Sequence, residues 1–230
     1  MKKVRIRGGI CYLRCVKKTE LAIFDLDGTL LDTIADLGNS VNHILSTHGM
    51  PLHTIPDYKK MVGRGMRNLV KAAIPEASRE DGFIDSFLKE FLDWYMDHID
   101  KETLPYPGIP EMMKELDSRG VRTAVASNKV QRGTVHLIKE FFPEIPFVAI
   151  CGNSPGFPLK PDAAIVNHIM EKAGTSPETT IMVGDSETDI RTAHNAGIPV
   201  VAVTWGFRPV EDLAEADYIV DSTQQILKLF

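Results

Sequence analysis

Two aspartates one residue apart, Asp25 and Asp27, close the apolar run Leu21-Ala22-Ile23-Phe24, and Gly28 follows at once. An apolar run cut off by a turn residue reads as a short buried strand. The carboxylates then sit at the strand's carboxyl end, where open α/β sheets place their ligand crevices. Carboxylates this close repel unless a cation or a proton lies between them. A hard divalent cation resolves that conflict, and magnesium suits one or two carboxylates together with phosphate oxygens. The plain alternative is a solvated acidic turn at a strand end, and Asp-x-Asp alone does not separate the two.

Three later stations carry compatible chemistry. Ser127-Asn128-Lys129 follows the apolar pair Val125-Ala126, which delivers a hydroxyl to the same sheet edge. A hydroxyl and nearby backbone N–H groups suit a phosphoryl oxygen, although Ser-Asn at a strand end is usually only a turn. Lys129 is expected to be solvated. In Lys160-Pro161-Asp162, Pro161 fits the first turn of a helix and Asp162 its dipole, so the plain reading is a helix start with an exposed lysine. The functional reading has Lys160 offset the negative charge of Asp25, Asp185 and a phosphate. In Gly184-Asp185-Ser186-Glu187-Thr188-Asp189, Asp185 ends a second apolar run, Thr180–Val183, and is the second candidate cation ligand. Asp189 either reaches the cation's water shell or caps a helix. Glu187 is expected to be solvated. Thr29 is expected to hydrogen-bond within the Gly28 turn.

These stations need a sheet to hold them. Strand patterns cover Leu21–Phe24, Arg122–Ala126, Phe147–Ile150, Thr180–Val183, Val200–Val203 and Tyr218–Val220. Helical patterns cover Ile109–Arg119, Arg132–Phe141, Ala163–Ala173 and Asp189–Asn195. Alternating strands and helices predict an α/β fold, a doubly wound, mainly parallel sheet. Residues 33–103 break the alternation. Val41, Ile44 and Leu45 mark one helical face, and Phe83, Phe87, Leu88, Phe91, Leu92, Tyr95 and Met96 another. A helical insertion is therefore expected directly after the first core strand, closed by the proline-rich return Leu104–Pro110.

The four stations, in this order, resemble the motifs of the haloacid dehalogenase superfamily, mostly phosphatases, from about Leu21 to the C-terminus. The resemblance implies a Rossmann-like core at 21–32 and 104–230 and a C1-type helical cap at 33–103. It implies that Asp25 is the nucleophile of an aspartyl-phosphate mechanism and Asp27 the general acid and base. It further implies that Ser127 and Lys160 are catalytic, that Asn128 binds phosphate, and that magnesium is held by Asp25, Asp185 and the Asp27 backbone carbonyl, with Asp189 behind them. Within the superfamily, Met61-Val62-Gly63-Arg64-Gly65-Met66 is similar to the cap segment of phosphoglycolate phosphatases. A helix start behind two glycines suits an anion, and Arg64 would meet a substrate carboxylate. Thr204-Trp205-Gly206-Phe207-Arg208-Pro209 also resembles that group, without an assigned role. The implied activity is hydrolysis of a small phosphorylated metabolite. A β-phosphoglucomutase-type isomerase or a pyrophosphatase shares nearly the same stations, and a non-catalytic regulator binding magnesium and phosphate is the reading from another class.

Composition narrows the partners. The chain has 230 residues, 43% hydrophobic and 25% charged, as expected for one α/β domain with an insertion. No apolar stretch approaches the ~20 residues that span a bilayer, so no membrane is expected. Three cysteines, Cys11, Cys15 and Cys151, form no disulfide framework or zinc pattern and suit a reducing, cytoplasmic compartment. Seven basic residues and one acidic residue precede Leu21, which leaves 19 basic against 30 acidic residues in the body. An acidic body is a poor nucleic-acid binder. The basic residues 1–20 are expected to form a loose extension with no part in the chemistry. Oligomeric state is not legible in the sequence.

Overall fold

A computed structural model describes residues 3–6, 9–12 and 19–230, the first two segments as backbone only. These segments, β1 (Lys3–Ile6) and β2 (Gly9–Tyr12), pair antiparallel. The remainder of residues 1–18, with the expectation of a loose extension there, falls outside the description, as do the side chains of Cys11 and Cys15.

The core sheet has six strands: β3 (Leu21–Phe24), β6 (Arg122–Val130), β7 (Ala149–Asn153), β8 (Thr180–Gly184), β9 (Val200–Val203) and β10 (Tyr218–Val220). All pairings are parallel, in the order β10-β9-β8-β3-β6-β7. From β3 the chain winds outward through β6 and β7, then returns to β8 on the other side of β3. That reversal opens a crevice at the carboxyl ends of β3 and β8. The apolar runs follow from burial on both faces. In β3, Ala22 and Phe24 join one core and Leu21 and Ile23 the other, as period-two alternation requires. Helices α5 (Ile109–Ser118), α6 (Gln131–Phe141) and α9 (Thr223–Leu227) cover the first face, and α7 (Ala164–Ala173) and α8 (Glu187–Ala196) the second.

Most expected elements lie within two residues of their place. Two differ. The strand expected at Phe147–Ile150 starts later, at Ala149, and β6 continues past Ala126 to Val130 with an irregularity between those residues. The second difference matters, because it keeps Ser127, Asn128 and Lys129 inside the fold.

Between residues 33 and 103 lie four helices, α1 (Ile34–Thr47), α2 (Ile55–Met61), α3 (Met66–Ala73) and α4 (Asp81–His98). Ile34, Leu37, Val41, Ile44 and Leu45 of α1 face Ile84, Phe87, Phe91 and Tyr95 of α4 in one apolar cluster. Spacings of three and four put each set on one helical stripe. Two short strands, β4 (Leu31–Asp32) and β5 (Leu104–Pro105), pair antiparallel where the insertion leaves and rejoins the core. Asp36 ties the same junction from inside, accepting the N–H of Glu102 at 2.9 Å and of Thr103 at 2.8 Å.

Candidate active site

Asp25 follows β3 directly, and its N–H still bonds Val183 of β8 at 2.9 Å. The sheet therefore fixes where its carboxylate starts. Oδ1 accepts the Leu26 N–H at 2.7 Å and faces Lys160 Nζ at 2.9 Å. Lys160 is buried, not an exposed lysine at a helix start. Its ammonium also pairs with Asp189 Oδ1 at 2.7 Å and donates to the Ala126 carbonyl at 2.8 Å. Burial works to lower the pKa of this ammonium, but Asp189 and Asp25 outweigh it and hold the pKa above the ordinary lysine value.

Asp185 ends β8 beside Asp25. Its Oδ2 accepts the Phe207 N–H at 2.7 Å. A Cβ on Gly28 would lie 2.4 Å from that oxygen, and one on Gly206 equally close. Two glycines thus keep open the space around one carboxylate oxygen. Asp189 both caps and pairs: Ser186 donates its N–H and hydroxyl to Asp189 Oδ2, at 3.1 and 2.6 Å, closing the capping box of α8. Oxygens of Asp25, Asp185 and Asp189 all lie within 4.8 Å of one another.

Two of these three buried carboxylates, Asp25 and Asp189, share one ammonium. Burial first, then Asp189, pushes the Asp25 carboxyl up to about 7, and burial with Asp189 and Asp25 raises that of Asp185. Such a set lacks positive charge, and its donors are all hard oxygens. It fits a divalent cation of the magnesium or calcium kind. Asp25 and Asp185 are the carboxylates without a full partner. No described residue donates to the Asp27 backbone carbonyl, which is free to join them.

Asp27 is turned differently. Its Oδ1 accepts two donors, the Thr33 hydroxyl at 2.7 Å and Lys129 Nζ at 2.9 Å. Thr33 holds the N-cap position of α1 but makes no cap bond with its side chain. Among the described residues nothing bonds Asp27 Oδ2. Lys129 corrects the expectation of a solvated lysine: its side chain is fully buried, and its ammonium also donates to Tyr95 Oη of α4 at 2.6 Å.

Ser127 Oγ accepts the Lys129 N–H at 3.2 Å, which leaves its proton free to donate. Asn128 belongs to the same site, but its side-chain amide is fully used. It donates to the Gly63 carbonyl at 3.1 Å and the Lys160 carbonyl at 3.0 Å, and accepts the Lys160 N–H at 2.8 Å. Arg64 is not brought to the cleft. Its side chain is 70% exposed and its Nη2 lies 3.2 Å from Glu187 Oε1.

Glu187 is accordingly not a solvated acid. It also pairs with Arg208 at 3.1 Å, and Arg208 donates to the carbonyls of Lys59 and Val62 in the insertion. The loop 204–209 thus does more than pack: Trp205 donates to the Thr29 carbonyl at 3.1 Å, Phe207 holds Asp185, and Arg208 clasps the insertion. The Thr29 hydroxyl, expected to bond within its turn, is buried without a partner. Sequence reasoning missed Thr33, Tyr95, Lys129 and Arg208.

Asp25, Asp27, Ser127, Asn128, Lys129, Lys160 and Asp185 line one cleft, closed from the insertion side by Val62, Gly63, Gly65, Met66 and Leu69.

Residues 22–203 match the family of haloacid dehalogenase-like hydrolases. A phosphoglycolate phosphatase of Agrobacterium fabrum is 39% identical over 206 residues, 87% of this chain and 88% of its own length. One of Mesorhizobium japonicum is 36% identical over 189 residues, 81% of this chain and 83% of its own. Among solved structures, a proposed phosphoglycolate phosphatase of Lactobacillus delbrueckii subsp. bulgaricus superposes with a TM-score of 0.87 at 32% identity, covering 93% of this chain and 98% of that one.

Proposed function

Because this chain belongs to the haloacid dehalogenase-like hydrolases, we propose that it is a magnesium-dependent cytoplasmic phosphatase. It hydrolyses a small phosphomonoester through an aspartyl-phosphate, and its substrate is phosphoglycolate. The observation that carries the reading is the division of labour within three residues. Asp25 meets Lys160 and Asp185 at the crevice, while Asp27, which lines the same cleft, is held by Oδ1 and keeps Oδ2 without a hydrogen bond among the described residues.

The residues act in two steps. The Asp25 carboxylate attacks phosphorus, the bond to the leaving oxygen breaks, and Asp27 delivers its proton to that oxygen. Asp27, now a carboxylate, takes a proton from water, which attacks the aspartyl-phosphate and frees inorganic phosphate. The Ser127 hydroxyl and the Lys160 ammonium hold the phosphoryl oxygens. Asn128 contributes by fixing Lys160. Asp25, Asp185 and the Asp27 carbonyl would hold magnesium, with Asp189 restrained behind them through Lys160. Magnesium there would supply positive charge that offsets the charge of the phosphoryl group.

The carboxylate of phosphoglycolate meets the N-terminus of α3, where Gly63 and Gly65 line the cleft and backbone N–H groups favour an anion. The phosphoglycolate phosphatases among its relatives support this choice. The test is phosphate release, with magnesium, from phosphoglycolate, pyrophosphate, glucose 1-phosphate and other phosphorylated metabolites. Phosphoglycolate is expected to give the highest kcat/KM. Conversion of glucose 1-phosphate to glucose 6-phosphate without phosphate release would replace the phosphatase by an isomerase, and preference for pyrophosphate would replace the substrate.

A further inference from the structure

We propose that Lys129 is a positioning residue for Asp27, anchored in its turn by Tyr95 of the insertion. The proposal rests on the reading of Asp27 as the acid and base. A buried ammonium is costly unless its donors find strong acceptors. Lys129 is fully buried, and the acceptors it finds are Asp27 Oδ1 at 2.9 Å and Tyr95 Oη at 2.6 Å. The ammonium also stands 4.9 Å from the centre of the Tyr95 ring, within cation–π range.

This arrangement sorts the two oxygens of one carboxylate. Lys129 and Thr33 both hold Oδ1, from β6 and from the start of α1. Two donors from different elements fix the plane of the group as well as its position. Oδ2 is left without a hydrogen bond among the described residues, in a side chain that lines the cleft. Proton transfer requires that oxygen to sit within hydrogen-bond reach of the leaving group, and small misplacements of a catalytic group cost rate steeply. Tyr95 supplies what Lys129 cannot: a fixed point for the ammonium. It is buried in α4 and stacks on Phe91 at 5.4 Å. Lys129 touches no substrate atom in this account. Its effect passes through Asp27, so it appears in kcat and not in KM.

The experiment is a double-mutant cycle in the full chain with magnesium and phosphoglycolate, or whichever phosphomonoester the panel identifies. Lys129→Met keeps the length of the stem and removes the charge. It is expected to lower kcat about 10²-fold, within the range general acid–base catalysis contributes, with KM changed less than about threefold. Combined with Asp27→Asn it should lower kcat no further than Asp27→Asn alone, because residues acting as one unit are not additive. Tyr95→Phe keeps the ring and removes only the anchoring hydroxyl. A fall in kcat of about threefold or more at constant KM is expected, and this variant decides the matter if Lys129→Met does not fold. Additive losses in the cycle, a rise in KM with kcat kept, or wild-type kcat in Tyr95→Phe each overturn the proposal. Normal turnover in Asp27→Asn overturns the acid–base reading and this proposal together. A crippled Asp27→Asn beside an unaffected Lys129→Met overturns this proposal alone.

Discussion

Two buried lysines serve the turn Asp25-Leu26-Asp27, one for each aspartate, and their surroundings differ. Lys160 finds all its partners in the core: Asp25, Asp189 and the Ala126 carbonyl. Lys129 spans two regions, with Asp27 in the core and Tyr95 in the insertion. Every group bonded to the Asp25 carboxylate thus lies in the core. Asp27, the proposed acid and base, takes part of its setting from the helices that close the cleft. Two different scaffolds hold the ends of one three-residue turn, and the two roles proposed for it divide along the same line.

The largest effect is expected at the core end. Asp25→Asn should lower kcat at least about 10³-fold, since a neutral amide oxygen is a poor nucleophile. Turnover within tenfold of wild type would remove the covalent mechanism. Next comes Lys160→Met, which leaves two carboxylates without their shared cation. Breaking a buried pair this way costs about 3–5 kcal/mol, to be read from urea unfolding. Lys129→Met should cost less, because it strands one carboxylate that is 20% exposed. Equal losses would erase the distinction between the two lysines.

That distinction was half visible in the sequence. The apolar runs before Asp25 and Asp185 placed both carboxylates at one sheet edge, because buried parallel strands read as continuous hydrophobic segments. The stripe Phe87, Phe91, Tyr95 announced a helix that buries its face. What it did not announce was that the last member of the stripe meets a lysine, since contact between residues 95 and 129 depends on how the insertion packs and not on local pattern. Glu187 misled for the same reason, and the loop that carries Arg208 was given no role. A charged residue near a helix start is usually solvated, and only the approach of residues 59–64 turns these two into a clasp. The short strands Leu31–Asp32 and Leu104–Pro105 had too few residues to show any period.

A cation at the proposed site would separate the two ends further, and pH tests it. A protonated carboxyl does not ligate, and the Asp25 carboxyl titrates at about 7 without a cation, with that of Asp185 also raised. Magnesium held there would have to displace protons below about pH 7. Its affinity, and the rise in Tm it produces, should grow from pH 5.5 to 7.5. Thermal unfolding with magnesium and with a chelator checks this. A rise in Tm that is the same across that range would mean that Asp25 and Asp185 do not hold the ion.

The smallest effect is expected at Arg64, where the insertion meets the core. Glu187 carries two arginines that are not equivalent. Arg208 is nearly buried and reaches two backbone carbonyls of the insertion, whereas Arg64 is 70% exposed and makes its ion pair with Glu187 alone. Exposed pairs contribute about 0–1 kcal/mol, because water and salt screen them. Arg64→Ala should therefore change kcat/KM for phosphoglycolate less than about threefold, and that for a small neutral aryl phosphate equally little. Arg208→Ala should lower both by about tenfold or more, since it leaves the carbonyls of Lys59 and Val62 without their donor. The comparison between substrates decides what Arg64 does. If phosphoglycolate alone loses ten- to a hundredfold, the size of one charged hydrogen bond, Arg64 leaves Glu187 during turnover and takes the substrate carboxylate instead. Recognition would then belong to a side chain of the insertion rather than to the backbone N–H groups that open α3.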